Sequence, residues 1–152
     1  MTMSSFPQKL AEVNDPQDLL RLTLEHFQAD TGTIHVLEAD GLLHLRALAG
    51  LVPPPVLEAI RVIPIGKGIA GRAVELGQPV NICNLQTDSE GIAPPGARTT
   101  GVQGSMCVPM IVDGKAVGAL GVGTYRPRTF TETDIALLLE TGREIARKLW
   151  SP

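Results

Sequence analysis

Two apolar runs meet at Asp113-Gly114, and that junction constrains the fold more than any other feature of the chain. Residues 105–112 on one side and 115–125 on the other are apolar at almost every position. An Asp-Gly pair readily takes the positive backbone angles of a tight hairpin turn, so the runs predict neighbouring antiparallel strands. Met106, Val108 and Met110 alternate with Cys107 and Ile111. Successive side chains of a strand point to opposite faces, so both faces of this hairpin need cover from other elements.

The rest of the chain supplies that cover. Asn14-Asp15-Pro16 predicts a helix start, with Leu19, Leu20, Leu22, Thr23 and Phe27 at helical spacing over about 16–29 and Thr31-Gly32 ending it. Residues 33–37 and 42–49 read as a second hairpin around Asp40-Gly41. In its second strand His44 and Arg46 alternate with Leu43, Leu45 and Ala47, which predicts one wetter face. A short helix is predicted over 55–60, then an extended 61–65 that Pro64 confines to an edge strand or connector. Residues 69–76 predict a short helix closed by Gly77, and 78–83 return to an extended pattern. Thr131-Glu-Thr-Asp134 is a capping-box start for an amphipathic helix over about 132–150. Residues 85–103 form one long irregular segment, which in a compact domain is a lid, a binding loop or disorder.

This order predicts one α+β domain over 16–150 behind a lead-in at 1–15. The sheet is mainly antiparallel, with the two terminal helices on one face and the short helices and long loop on the other. A chain of 152 residues with 43% apolar content suits one domain with a real core. The only aromatics are Phe6, Phe27, Tyr125, Phe130 and Trp150, and the net charge is −3. That composition argues against base-stacking or phosphate-tracking surfaces, so no nucleic-acid partner is expected. No apolar run is long enough to span a membrane, and the N-terminus lacks a signal-peptide pattern. Two cysteines make no disulfide framework, and a cytoplasmic location is the default expectation.

Three stretches together resemble GAF domains. The run Ile65-Gly66-Lys67-Gly68-Ile69-Ala70-Gly71-Arg72-Ala73-Val74, followed by Gly77-Gln78-Pro79-Val80, looks like the family's central signature. Met106-Cys107-Val108-Pro109-Met110, then Gly114 and Val117-Gly118-Ala119-Leu120, fits its hairpin. Phe130-Thr131-Glu132-Thr133-Asp134 with Leu137-Leu138 is similar to the start of its closing helix. The stretches occur in the family's order with matching gaps and span about 16–150. The resemblance implies a central antiparallel sheet, a small-molecule pocket on one face and a helical dimerisation face on the other. It implies a sensory module, alone or cut from a longer signalling protein that carries an output domain.

Several motifs carry competing readings. Gly66-Lys-Gly-Ile-Ala-Gly71 is a literal G-x-G-x-x-G, but its helix is short and the acids beyond it, Asp88 and Glu90, fall in the long loop. Tight turning and close packing are therefore the preferred reading over a dinucleotide site, with an anion at the helix start left open. Free methionine-sulfoxide reductases of GAF type, by resemblance, place one cysteine at the glycine-rich helix start and another in the long loop. Here the first position is Ala70, the loop from 85 to 104 has none, and Cys83 and Cys107 read as small buried hydrophobes. His26, His35 and His44 lack ligand spacing, so no metal is expected, although haem ligation by one histidine is left open. Neither a bilin cysteine nor the cyclic-nucleotide pattern of phosphodiesterase GAF domains is identifiable. Gly118, Gly121 and Gly123 in one strand are read as room for helix packing ahead of ligand contact. Arg126, Arg128, Arg143, Arg147 and Lys148 read as solvated charges.

The expectation is a non-catalytic small-molecule-binding sensory or regulatory module. The alternatives are an enzyme like the free methionine-R-sulfoxide reductases and a dimerisation scaffold without ligand. No catalytic residue is assigned and the cofactor is unknown. The candidate ligand-binding residues are His35, Arg98, Thr99, Thr100, Gln103, Val108 and Met110, with the pocket placed beneath the 85–104 loop. A homodimer is expected through Leu22, Ala136, Leu137 and Trp150, apolar residues left off the core-facing stripes of the terminal helices.

Overall fold

A computed structural model describes residues 5–82 and 101–151, without the side chain of Ile82. In chain order the elements are α1 (Phe6–Glu12), α2 (Pro16–Phe27), β1 (Thr31–Leu37), β2 (Leu42–Ala49), α3 (Pro54–Ile60), β3 (Val62–Pro64), α4 (Gly68–Leu76), β4 (Val80–Ile82), β5 (Gly104–Val112), β6 (Lys115–Thr124) and α5 (Glu132–Leu149). The strands form a curled antiparallel sheet in the order β3-β2-β1-β6-β5-β4. This is the GAF-like α+β architecture that the sequence implies.

Local chemistry accounts for most of the elements. Asp113 and Gly114 both have positive φ, 51° and 77°, as the tight β5–β6 turn requires. The Asp15 carboxylate accepts from the Asp18 amide at the start of α2, and Thr131 and Asp134 form the reciprocal capping box of α5. Gln28, left-handed at φ 53°, ends α2, so β1 starts at Thr31 rather than at residue 33. Within the lead-in, α1 buries Leu10 and stacks Phe6 on His26 with ring centroids 4.4 Å apart. Lys148 Nζ donates to the Ala11 carbonyl and to Asn14 Oδ1 at the surface, tying α5 to this segment. Arg128 likewise donates to the Phe27 carbonyl at 2.7 Å, at the open end of α2.

Two prolines sit where their missing N–H groups do no harm. Pro64 is in the edge strand β3, and Pro109 in β5 lies past the reach of β4, which pairs only with residues 105–107.

The core has two layers. On one face Ile34, Val36, Met106, Val108, Met110, Leu120 and Val122 pack with Leu19, Leu20, Leu138 and Ile145 of α2 and α5. On the other, Leu43, Cys107 and Ala119 pack with Ile63 and with Ala70, Ala73 and Val74 of α4. Simple alternation fails at two places. Ile34 pairs with Ala47 and His35 with Leu45, leaving Arg46 as an extra residue in β2. Met110 pairs with Gly118 and Ile111 with Ala116, leaving Val117 extra in β6. Each bulge flips the parity of its strand. Leu43 and Ala47 therefore join opposite layers, and the wetter single face expected of β2 does not form.

Candidate functional site

The face of the sheet away from α2 and α5 is only partly filled. α4 covers the β5–β6 half, while α3 has no fully buried residue and packs its partly buried Ile60 against this layer. Between them lies a cavity of about 540 Å³. Thr31, Thr33 and His35 of β1, Ser105 and Cys107 of β5, and the backbone of Gly121 and Gly123 in β6 form its floor. Leu51, Val52, Val56, Ala59 and Ile60 wall one side, and Ile69 and Ala70 the other. Every described lining side chain is apolar or neutral-polar.

The glycines of β6 create this floor. A Cβ at Gly123 would stand 2.6 Å from Thr31 Oγ1 and 2.8 Å from Val102 Cγ1, and one at Gly121 would stand 3.1 Å from Thr33 Oγ1. Both glycines thus admit cavity-lining neighbours rather than the terminal helices, which corrects the packing reading for these two positions. Gly118 does serve packing on the helical side, where an added Cβ would collide with Met110 and with the His35 carbonyl.

His35 is the polar centre of the cavity floor. It is 2% exposed, and its Nε2–H donates to the Ile60 carbonyl at 2.8 Å. A carbonyl only accepts, so the proton sits on Nε2. Burial pushes the pKa below its ordinary 6.5, an effect the Ile60 hydrogen bond only partly offsets, so the ring is neutral at pH 7. Nδ1 is then a bare acceptor, and it is the one buried side-chain polar atom without a partner among the described residues. Such an atom is costly to leave unpaired.

The other expected site residues separate. Val108 and Met110 lie in the helical layer beside Gly142 of α5, on the face opposite the cavity, because β5 alternates and Cys107 takes the cavity side. Gln103 spends its side chain on the Tyr125 carbonyl at 2.9 Å and does not line the cavity. Arg98, Thr99 and Thr100, like the 85–100 part of the expected lid and Cys83, lie outside the described residues. Missed from the sequence were Cys107 and Ser105, which strand parity places on the cavity side of β5, and Ile60, which the approach of α3 brings to His35. The Cys107 thiol is fully buried, and desolvation pushes its pKa up to about 12.

Around the glycine-rich turn, Gly66 N–H donates to the Gly71 carbonyl and Lys67 N–H to the Pro64 carbonyl. A Cβ at Gly71 would stand 2.7 Å from the Pro64 oxygen. The turn therefore works as tight packing, and these two amides are not offered to a phosphate. Among the described residues no group of three or more histidine, cysteine or acidic side chains is placed to hold a metal.

A second, wider depression of about 640 Å³ lies over α2 and β2. Several of its polar groups already have partners. Arg21 pairs with Asp18 and Glu25, and Gln17 clasps both the N–H and the carbonyl of Leu48. The expected dimer residues divide: Leu22 is already buried in its own domain, Leu137 and Trp150 pack half-buried against the core, and only Ala136 is exposed.

Comparison with solved structures agrees with this architecture. The chain is similar to the GAF domain of a phosphoenolpyruvate-protein phosphotransferase from Coxiella burnetii, at 17% identity and a TM-score of 0.77, covering 95% of this chain and 88% of that one. It is similar to a free methionine-R-sulfoxide reductase from Neisseria meningitidis solved with its substrate, at 19% identity and a TM-score of 0.72, covering 97% and 92%. It is also similar to the type II free methionine-R-sulfoxide reductase from Thermoplasma acidophilum, at 21% identity and a TM-score of 0.73, covering 91% and 94%. At these identities the likeness concerns the fold. No curated protein sequence matches the chain. The GAF domain family matches residues 13–149, nearly the whole chain, and the protein belongs to that family.

Proposed function

We propose that this GAF domain is a non-catalytic regulatory module whose small-molecule ligand occupies the cavity over His35. The observation that carries the reading is a largely apolar cavity of about 540 Å³ with the buried His35 among its lining residues. Ligand pockets are typically of this size and character, mostly apolar with a few placed polar groups.

The competing reading is thiol chemistry of the free methionine-sulfoxide reductase kind. It is disfavoured at two points. Ala70 stands where that family, by resemblance, places a cysteine, and it lines the cavity with only a methyl group. Cys107, the thiol that does line the cavity, has its pKa raised by burial and is not a thiolate at neutral pH. A cytoplasmic setting, and a signalling output domain as the recipient of the ligand signal, belong to the same proposal. No helix among the described residues is long and apolar enough to cross a membrane.

Native mass spectrometry of protein purified from its own host, paired with an assay for methionine-sulfoxide turnover with a thiol reductant, tests the reading. The expected result is a non-covalent small-molecule adduct lost in a cavity-filling Ala70→Phe variant, and no turnover. Turnover abolished by replacing Cys83 or Cys107 with serine would establish the enzyme instead.

A further inference from the structure

Resting on the reading of this cavity as the binding site, we propose that its ligand is an amphiphile whose compact hydroxyl or carbonyl head seats on the backbone of Gly121 and hydrogen-bonds to the Thr33 hydroxyl. Burial along the central strands locates the seat. β1 lies between β2 and β6, and β6 between β1 and β5, while α2 and α5 fill one face of the sheet. A residue turned to the other face of these strands meets open space only in the cavity. There Thr33 and Gly121, direct partners across the ladder, are half-buried, whereas His35, Cys107 and Ala119 are buried. The open space therefore reaches down to the sheet backbone at Gly121.

The surroundings of Gly121 suit a polar head. An added Cβ there would stand 3.1 Å from Thr33 Oγ1 and 3.8 Å from Cys107 Sγ, so the place of the missing side chain is edged by a hydroxyl and a thiol. A ligand atom at that place is within hydrogen-bond reach of the threonine oxygen. Among the described residues nothing pairs with the Thr33 hydroxyl, and its oxygen is not enclosed as His35 Nδ1 is. Gly123 offers no such place. It is buried, and Thr31 Oγ1 and Val102 Cγ1 would stand 2.6 and 2.8 Å from its Cβ. A glycine weakens a strand interior, and close approach of another group is what it admits.

The walls take the rest of the molecule. A hydroxyl both donates and accepts, so Thr33 serves an alcohol or a carbonyl head alike. Val56 and Ile60 of α3 and Ile69 of α4 wall the cavity, and an apolar body packs on them. The ligand thus lies with its polar end on the sheet and its body between the two short helices.

Phenylbutanol and pentylbenzene, which share an apolar body and end in a hydroxyl and a methyl, test the seat by calorimetry on the full chain. The hydrocarbon gains more from leaving water, so the readout is the change on substitution and not the raw difference between the probes. Thr33→Val nearly keeps the shape and removes the hydroxyl. It is expected to weaken the alcohol about tenfold and to move the hydrocarbon by less than about twofold, and Thr33→Ser to restore the alcohol. Gly121→Ala fills the seat and is expected to weaken both probes. Should Gly121→Ala fail to fold, the two threonine variants still decide, since neither adds an atom next to the backbone of β6. Equal changes for both probes in Thr33→Val, or a folded Gly121→Ala with both affinities unmoved, overturn the seat and leave the cavity as a binding site. Failure of both probes to bind the wild-type chain overturns the cavity reading itself.

Discussion

His35 and Cys107 both belong to the cavity floor, and burial silences the charge of both. For His35 the folded pKa lies below 6.5, so between that value and 6.5 the unfolded chain holds a proton that the folded chain does not. Its contribution to stability is therefore complete above pH 6.5 and is lost as the pH falls toward the folded value, with a slope approaching about 1.4 kcal/mol per pH unit. Thermal unfolding between pH 7.5 and 5.5 is expected to show this loss, and His35→Phe to flatten it. Asp40 does not enter that window, because its pKa is held below 3.8, first by the Leu42 amide and then by His44. For Cys107, iodoacetamide at pH 8 is expected to leave the native residue unmodified and to label it only in denaturant; peptide mass spectrometry reads it separately from Cys83. Rapid native labelling would contradict the burial. Both residues could be singled out from the sequence as titratable groups in strands. The partner of His35 could not, since Ile60 is 25 residues away across a turn and a helix.

At the scale of elements, the hairpins and caps arise from local rules, and their weak points are close approaches. β6 passes β1 and β5 with Gly118 at the crossing, where a Cβ would strike the backbone oxygen of His35 as well as Met110. Backbone cannot swing aside as a side chain can, so Gly118→Ala is expected to cost about 1–3 kcal/mol, read as a lowered urea midpoint at unchanged slope. α3 is the opposite case. Having no buried residue, it is expected to exchange its amide hydrogens much faster than α5, which buries Leu138, Thr141, Gly142, Ile145 and Ala146. Comparable protection of the two helices in hydrogen-exchange mass spectrometry would contradict this. Both helices were legible in the sequence, α5 from its capping box and 3–4 periodicity, α3 from its opening prolines. That α3 holds no fully buried residue and is tied to the domain at its last residue, Ile60, was not legible, because its apolar residues look the same whether they meet a core or a cavity.

For the whole molecule, a homodimer through the terminal helices is proposed on a smaller surface than the sequence suggested. Leu22 drops out because it is buried at home. Half-buried Ile135, Leu137, Leu139 and Leu149 remain along α5, with exposed Ala136 among them. Sedimentation velocity at micromolar concentration is expected to show a dimer, and Ala136→Arg, which touches no core, to convert it to monomer; a wild-type chain sedimenting as a monomer overturns the dimer. The hairpins and the helices from α2 onward, with their order, are legible in the sequence, and the GAF fold follows from the resemblance of three of its stretches to that family. Turn angles, end caps and side-chain periodicity act within a few residues and can be read there. Tertiary structure decided which residues share a face. The extra residues Arg46 and Val117 are defined only by register with a neighbouring strand, and each reverses the parity of the strand beyond it. For the same reason the cavity belongs to the tertiary structure. It is the space left where α3 and α4 meet a sheet floored by glycines, and no single stretch of chain contains it.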